Sequence, residues 1–337
     1  MIKYGIVGAG WRSEFYLRIA ALMPDIFKVS GIYIRNKQKR EEFSKKYDVP
    51  IFDTLEKLLE TDFDFIVSCV NKTGICDTVR ELAHKNIPLL TETPIGTSNK
   101  EIDDFLSEIK PDWQVQVAEQ FHLQPRNQAI KAIIDSGILG AVTQVQLSCC
   151  HDYHAASLIR FFLGTGDEMP DVSSFTLSDT VTRYNSRGGL LKEPQIVTAE
   201  EKIVALKFKN KTAIYDFNYE QYFSDIRHSR ILIRGTNGEI LNNECTYLKN
   251  GIPCSFSLKR NFYGANESLD GFTLVNITAE GKVVYENPFK GARLSDEEIA
   301  IATCLLSMKK YLKTGVPFYS LKEAMLDSKI FLTEYTN

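Results

Sequence analysis

The chain opens with a short apolar run, Tyr4-Gly5-Ile6-Val7, that breaks at Gly8-Ala9-Gly10-Trp11-Arg12-Ser13 and continues as a helical pattern to about Leu22. A strand that turns on glycine into a helix constrains the architecture of the whole N-terminal region, because such a unit buries both faces of its strand only inside a layered sheet. The next hundred residues keep that alternation. KVSGIYI (28–34) reads as a second strand, and NKQKREEFSKKY as a solvated helix whose apolar contact is Phe43. VPIF, a short helix at 55–59 and DFIVSCV (64–70) come next, the last apolar almost throughout, as a strand covered on both faces is. IPLLTE (87–92) and WQVQVAE (113–119) read as the last strands of a parallel sheet.

The texture changes at Gln120. A helix, PRNQAIKAIIDSG, stops at Gly137, and TQVQLSC (143–149) then alternates polar and apolar with period two, the pattern expected of an antiparallel sheet with one buried face. EEKIVALKF, TAIYDFNY, SRILIRG and GKVVYE repeat the pattern, with Asn237-Gly238-Glu239 as a hairpin turn. Two helices close the chain, DEEIAIATCLLSMKKYLKTG ending at Gly315, and LKEAMLDSKIFLTEY (321–335). The division predicted is residues 1–118 and 119–337, and a chain of 337 residues is long for one core.

Composition narrows the partners. With 40 basic and 43 acidic residues the net charge is -3, which offers no electrostatic footprint for nucleic acid or an anionic membrane, so a small-molecule partner is expected. Seven cysteines at irregular spacing form neither a disulfide framework nor a paired zinc pattern. No run approaches the ~20 apolar residues of a membrane span, and MIKYGIVGAG shows neither a basic n-region nor a small-residue cleavage site, so no leader is expected. A cytoplasmic protein is expected.

Gly8 permits the tight turn and Gly10 lets backbone amides approach a pyrophosphate at the helix N-terminus, with Trp11 and Arg12 flanking it and Ser13 where a third glycine or alanine would stand. An ordinary strand-to-helix turn is the competing explanation; the order strand, turn, helix, strand favours dinucleotide binding. The second strand ends Tyr33-Ile34-Arg35-Asn36, without the acidic residue that holds the ribose in NAD sites. Arg35 there can face a 2′-phosphate, so NADP is expected with NAD as the alternative, unless the basic run is only a solvated helix start.

GIVGAGW, Asn71 after the fourth strand, Thr91-Glu92-Thr93-Pro94 after the fifth, Gln120-Phe121 with Pro125, DSGILGAV, and His154 with Arg160 and Gly164 together resemble the glucose-fructose oxidoreductase, inositol dehydrogenase and rhizopine-catabolism family, Gfo/Idh/MocA, over almost the full length. The resemblance implies an α/β Rossmann domain followed by an α+β domain with a large open, mainly antiparallel sheet that often serves as the interface of a homo-oligomer, a dimer or tetramer. It also implies hydride transfer between NAD(P) and a sugar, polyol or related hydroxyl compound, with the cofactor over Gly8, Gly10, Arg35 and Asn71 and its nicotinamide at Glu92 and Thr93. Two positions depart from the family pattern. Thr93 replaces the lysine of Glu-Lys-Pro, removing a cation that would stabilise alkoxide charge. Cys150 stands where the family places an aspartate four residues before the histidine.

CCHDYH (149–154) admits three chemistries. Zinc binding would use Cys149, Cys150, His151 and His154, but neighbours on a strand point to opposite faces and no second ligand pair lies at suitable spacing. No metal is expected. Cys150 with His154 as base would make a thiol nucleophile, against the commoner role of a buried cysteine as a small apolar residue. The third places His154 at the start of a helix as an acid/base, oriented by Asp152 or Tyr153, with His151, Tyr153 and Gln120 lining the substrate. Its bland counterpart makes Asp152 an N-cap and His154 a half-buried packing residue. Glu119 and Gln120 end the last strand of the parallel sheet, where ligands of open α/β sheets bind. Tyr219, Glu220, Gln221, Tyr222 and Arg227 form a polar, aromatic cluster typical of a sugar-binding rim, and hairpin-edge packing explains them equally well. Arg160, six residues beyond His154 on the same helix, is a lesser candidate, with a structural ion pair as its competing reading. The expected activity is an NADP-preferring oxidoreductase acting on CH–OH groups, with Glu92, Thr93 and His154 catalytic; the alternative is a dinucleotide-binding sensor or regulatory protein that has lost turnover. Epimerisation or glycoside cleavage with a transiently used cofactor also fits the resemblance.

Overall fold

A computed structural model describes residues 1–264, 266 and 271–333. The chain divides into two compact units, one of Met1–Pro125, Arg260–Asn276 and Glu286–Lys329, the other of Arg126–Lys259, Ile277–Tyr285 and the residues from Ile330 on.

In the first unit β1 (Ile2–Val7), β2 (Phe27–Tyr33), β3 (Ile51–Phe52), β4 (Phe65–Ser68), β5 (Leu89–Thr91) and β6 (Val115–Val117) form one sheet in the order β3-β2-β1-β4-β5-β6. Every neighbouring pair is parallel. Helices α1 (Trp11–Leu22), α2 (Lys37–Lys46), α3 (Leu55–Leu59), α4 (Ile75–His84) and α5 (Asn99–Glu108) make the crossovers. The chain runs outward from β1 to β3 and returns to β4, so the order reverses between β1 and β4, the switch point beyond whose C-terminal strand ends open α/β sheets bind their ligands. All four residues of β4 are buried, which is why its sequence lacks alternation.

The second unit begins with α6 (Pro125–Asp135), whose run ends before Gly137 at φ 77. Then come β7 (Val142–Ser148), α7 (Asp152–Leu163), β8 (Asp171–Ser186), β9 (Gly189–Lys207), β10 (Thr212–Asn218), β11 (Arg230–Gly235), β12 (Gly238–Leu241), β13 (Glu244–Lys249) and β14 (Ile252–Ser257). They build a sheet in the order β14-β13-β12-β11-β7-β10-β9-β8. The antiparallel expectation holds for β7 against β11 but not against β10, which runs parallel to it. Alternation reports that one face is buried, here through Val145 and Leu147, and says nothing of a neighbour's direction. The hairpin of β8 and β9 far exceeds the EEKIVALKF strand read from sequence. Its outer part is mostly exposed, with Leu190 and Ile196 each 78% accessible, so no apolar period marks it.

A third sheet has the order β15 (Lys259–Tyr263), β16 (Thr273–Ala279), β17 (Lys282–Glu286). Helix α8 (Asp296–Thr314) starts at a capping box between Ser295 and Glu298, ends at Gly315 in the left-handed region, and packs within the first unit. After it, Tyr319 O accepts from Val117 N at 2.9 Å, extending the edge of β6. Helix α9 spans Leu321–Leu332; Glu334 and Tyr335 of the sequence-read helix lie outside the described residues.

The glycine turn sets two unlike demands. Gly8 has φ 105, and a Cβ there would lie 2.7 Å from Cys69 O, so both conformation and the close passage of the β4 end require glycine. Gly10 has φ -82, and a Cβ there would meet nothing nearer than Cys69 O at 3.6 Å. Gly8→Ala is therefore expected to cost about 2 kcal/mol of stability, and Gly10→Ala to change it by no more than about 0.5 kcal/mol, read by urea unfolding.

Candidate active site

The residues expected at the cofactor sit at consecutive strand ends: Gly8 to Arg12 after β1, Asn71 after β4, Glu92 and Thr93 after β5, Glu119 and Gln120 after β6. In a parallel sheet these positions share one edge. Gly10 is the N-cap of α1 with no side-chain capping bond, and Ser13 closes the turn by donating to Gly10 O from its amide (3.1 Å) and its hydroxyl (2.6 Å). The third-glycine position thus carries a hydroxyl that holds the turn. Gly10 leaves room where no protein atom needs it, a cradle that suits an approaching pyrophosphate.

At the end of β2, Arg35 is exposed and its carbonyl accepts from Arg40 Nη1 at 2.8 Å. Asn36 caps α2 by accepting from Lys39 N at 3.0 Å, and Lys39 Nζ reaches Ala9 O of the glycine turn at 3.4 Å. Asn71 Oδ1 accepts from Thr73 N at 3.4 Å, which holds it beside the β4 end. Trp11, 44% exposed, meets Phe15 edge-on at 5.4 Å.

Arg12 turns inward. Its guanidinium lies 4.5 Å from the Trp11 ring centre, Nη1 donates to Glu297 Oε1 of α8 at 2.7 Å, and Nε is 3.3 Å from Glu92 Oε2. With the Gln120 amide oriented to satisfy both its ends, its oxygen accepts from Arg12 Nη2 at 3.1 Å and its nitrogen donates to Ala118 O at 3.0 Å. Tyr16 Oη donates to the other Glu92 oxygen at 2.6 Å, and Tyr4 Oη donates to Tyr16 O at 2.7 Å. Arg12, Glu92 and Gln120, drawn from three stretches of sequence, are thereby one buried network. Thr93 comes next, at a cis Thr93–Pro94 bond. Tyr16 and Glu297 were not anticipated. Tyr16 reads as helix packing, and Glu297 sits in the acidic first turn of α8, where Asp296 and Glu298 make it one of three similar carboxylates.

In the second unit the strand β7 ends at Ser148, and Cys149 and Cys150 lie beyond it in bends, with their sulfurs 3.8 Å apart. They are not opposed on a strand as expected. Among the described residues no three His, Cys, Asp or Glu side chains gather as a metal-ligand set. His151, not Asp152, is the N-cap of α7, and it makes no side-chain capping bond. Asp152 has φ 35; its carboxylate accepts from Tyr219 Oη at 3.3 Å and lies 3.7 Å from Lys202 Nζ. His151, Tyr153 and His154 come together as expected: ring centres are 4.9 Å apart for His151 and His154 and 4.4 Å for Tyr153 and His154. His154 is 3% exposed. Tyr222 Oη accepts from His151 N at 2.7 Å and lies 2.6 Å from His151 Nδ1, while His151 Nε2 is 3.1 Å from Tyr153 Oη. Burial raises the Tyr222 and Tyr219 phenols above their ordinary range, the latter with help from Asp152. The cluster at 219–227 divides. Tyr219 and Tyr222 join His151, whereas Glu220 pairs with Arg183 and Arg227 with Asp179. Arg160 Nε donates to Gly166 O at 3.0 Å, tying the end of α7 to the loop behind it.

Residues 2–121 match the model of an oxidoreductase family with an NAD-binding Rossmann fold, Gfo/Idh/MocA. These residues belong to that family. They are similar to the scyllo-inositol 2-dehydrogenase (NADP(+)) IolU of Bacillus subtilis (strain 168), 26% identical over 113 residues, which span 33% of this chain and about a third (34%) of that relative. L-aspartate dehydrogenase of Methanococcus maripaludis is 25% identical over 262 residues, 73% of this chain and 89% of its own. A solved structure of levoglucosan dehydrogenase in complex with NADH and levoglucosan shares the fold, with a TM-score of 0.68, 13% identity, and coverage of 98% of this chain and 95% of that one.

Within the family domain, the acids at the strand ends are electrostatically unusual. Burial raises Glu92 against the opposition of Arg12 and Tyr16. Glu119, fully enclosed, is pushed up to about 8 by burial, although Phe121 N donates to its Oε1 at 3.0 Å. A carboxyl that holds its proton more tightly folded than unfolded favours folding below its unfolded value near 4.5, and that contribution is lost as pH rises through about 8. Glu119→Gln keeps the acceptor oxygen and removes the titration. Thermal melts across this range are expected to show the variant gaining on the native protein above neutral pH, by on the order of a few kcal/mol at pH 9, and matching it near pH 4.

Proposed function

We propose that the chain is an NAD(P)-dependent oxidoreductase that moves a hydride between a nicotinamide cofactor and a hydroxyl-bearing carbon of a sugar, polyol or related compound. The observation that carries this is the glycine turn at the switch point, where Gly10 at the N-terminus of α1 has no close neighbour that forbids a side chain and so lets a pyrophosphate approach the backbone. Residues 1–118 take the dinucleotide in this reading, and residues 119–337 the substrate side and the contacts between subunits. Arg35 and Lys39 take the adenosine end, and the lack of a carboxylate after β2 favours NADP over NAD. The inositol and levoglucosan enzymes to which the chain is similar point to a cyclic hydroxyl compound.

When bound, the nicotinamide would supply or accept the hydride. The chain would do the rest. Asn71, Trp11, Arg12 and Glu119 belong to the cofactor's surroundings, and Glu92, pinned on both oxygens, keeps the segment before Thr93 in one geometry. Thr93 offers a hydroxyl to the reacting oxygen. His154 exchanges the proton, and His151, Tyr153 and Gln120 hold the substrate. The open face of the large sheet exposes Phe175 (58%), Leu241 (44%) and Ile214 (37%), and a second copy of the chain is its proposed cover. No helix among the described residues is long and apolar enough to cross a membrane, and the proposed location is the cytoplasm.

Titration of the protein with NADPH and NADH, followed by nicotinamide emission, tests the first step. NADPH is expected to bind at least tenfold more tightly, or about 1.4 kcal/mol, with Arg35→Ala erasing the difference. Assays with ketoses and keto-inositols test the second, where His154→Ala is expected to slow turnover by about 10²-fold or more. Binding without turnover of any of these would favour a sensor, for which the loss of the lysine at Thr93 is the motive. No binding of either nucleotide overturns the reading.

A further inference from the structure

The two cysteines of CCHDYH owe their closeness to the place where β7 ends. On a strand, neighbouring side chains point to opposite faces, and the sulfurs of an adjacent pair stand apart. Here Ser148 is the last residue of the strand, and Cys149 and Cys150 lie in bends that bring their sulfurs to 3.8 Å. Neither is in a disulfide, and no other two of the seven cysteines are neighbours in the sequence. Their exposures differ: Cys149 is half-buried, whereas Cys150 is fully buried. A reagent from solvent therefore meets Cys149 first, with the second sulfur close behind it.

We propose that Cys149 and Cys150 are a modification site, a vicinal dithiol that a small-molecule disulfide such as oxidised glutathione closes into a bond between neighbouring residues. The Cys149 thiolate attacks one sulfur of the reagent, forming a mixed disulfide and releasing one glutathione thiolate. The Cys150 thiolate then attacks the Cys149 sulfur, the Sγ–Sγ bond forms and the second glutathione thiolate leaves. The protein gives up two electrons and two protons, and the reagent takes both up as two glutathione thiols. Holding the second thiol beside the first makes the closing step intramolecular. The ring so formed has eight atoms and joins Cα atoms about 3.8 Å apart across a trans peptide, against roughly 4.4 Å or more in ordinary bridges, so it is strained and readily reduced. Such a bond follows the thiol balance of its surroundings rather than stapling the fold. Its position couples it to α7. His151 comes next in the chain and carries the first turn of that helix: its carbonyl accepts from His154 N at 3.1 Å and Ala155 N at 3.4 Å, and its amide donates to Tyr222 Oη at 2.7 Å. Drawing the sulfurs from 3.8 Å to a bond of about 2 Å twists the peptide that leads into this turn. None of this depends on the oxidoreductase reading.

The test is mass spectrometry of the full chain exposed to oxidised glutathione, quenched in acid, alkylated and cut with trypsin. The peptide from Ala132 to Arg160 holds these two cysteines and no other. It is expected to lose two hydrogens in mass and to resist alkylation, and to become alkylatable again after brief treatment with dithiothreitol. Cys150→Ser, which keeps the size of the side chain, is expected to stop at a glutathione adduct on Cys149. Glutathione retained on native Cys149, or a native peptide alkylated at both sulfurs after the exposure, overturns the proposal. Phenylarsine oxide on the native chain gives a check that needs no variant: one arsenic is expected to bridge the two sulfurs with loss of one water, and a peptide that takes up no arsenic overturns the pairing. Hydrogen exchange at the first-turn amides of α7 is expected to quicken about tenfold on oxidation, and an unchanged rate overturns the coupling to that helix.

Discussion

A guanidinium enclosed by protein must be met by acceptors on every side, and Arg12 imposes that condition on the whole first unit. Its partners are Glu92 at the end of β5, Gln120 just past β6 and Glu297 in the first turn of α8, while Tyr16 from its own helix takes the remaining oxygen of Glu92. Removing one partner would strand a buried charge, so three strand ends and a helix from the far end of the chain hold their places together. That explains why α8 counts with the first unit although almost two hundred residues separate it from β6. The network also immobilises the residue that precedes Thr93, at the point where the family pattern would have a cation.

The cluster around His151 is built by another rule. Around His151 the close neighbours are phenols and an imidazole: Tyr222 Oη lies 2.6 Å from Nδ1, Tyr153 Oη 3.1 Å from Nε2, and the His154 ring centre 4.9 Å away. The Asp152 carboxylate is drawn aside by Tyr219 and Lys202.

The first unit was largely legible, because strands covered on both faces read as apolar runs and the helices between them keep their period; β4 and α3 fall where the sequence puts them. The second unit was half legible. One-sided burial marks β7 and β10 as strands, yet the same alternation is compatible with parallel or antiparallel pairing, and β7 has one neighbour of each kind. The β8–β9 hairpin carries little burial and hence little signal. At the site, His151, Tyr153 and His154 could be grouped because they are close in sequence. Glu297 could not, since the partner of a buried arginine is chosen by distance in the fold, and three carboxylates in one helical turn look alike. Asp152 was a reasonable N-cap by residue type, but the helix begins one residue earlier.

The hairpin has a further meaning. Strand β10 pairs with β9 only over Glu201–Lys207, so the outer parts of β8 and β9 pair with each other alone. What fastens that ribbon is a set of charged and polar contacts to the segment carrying Tyr219 and Tyr222: Arg183 with Glu220, Tyr184 with Asp225, and Asp179 with Arg227. Such surface pairs are individually weak and are screened by electrolyte. The aromatic residues beside His151 are therefore tied to the ribbon by contacts that electrolyte loosens, so salt bears on how firmly that wall stands.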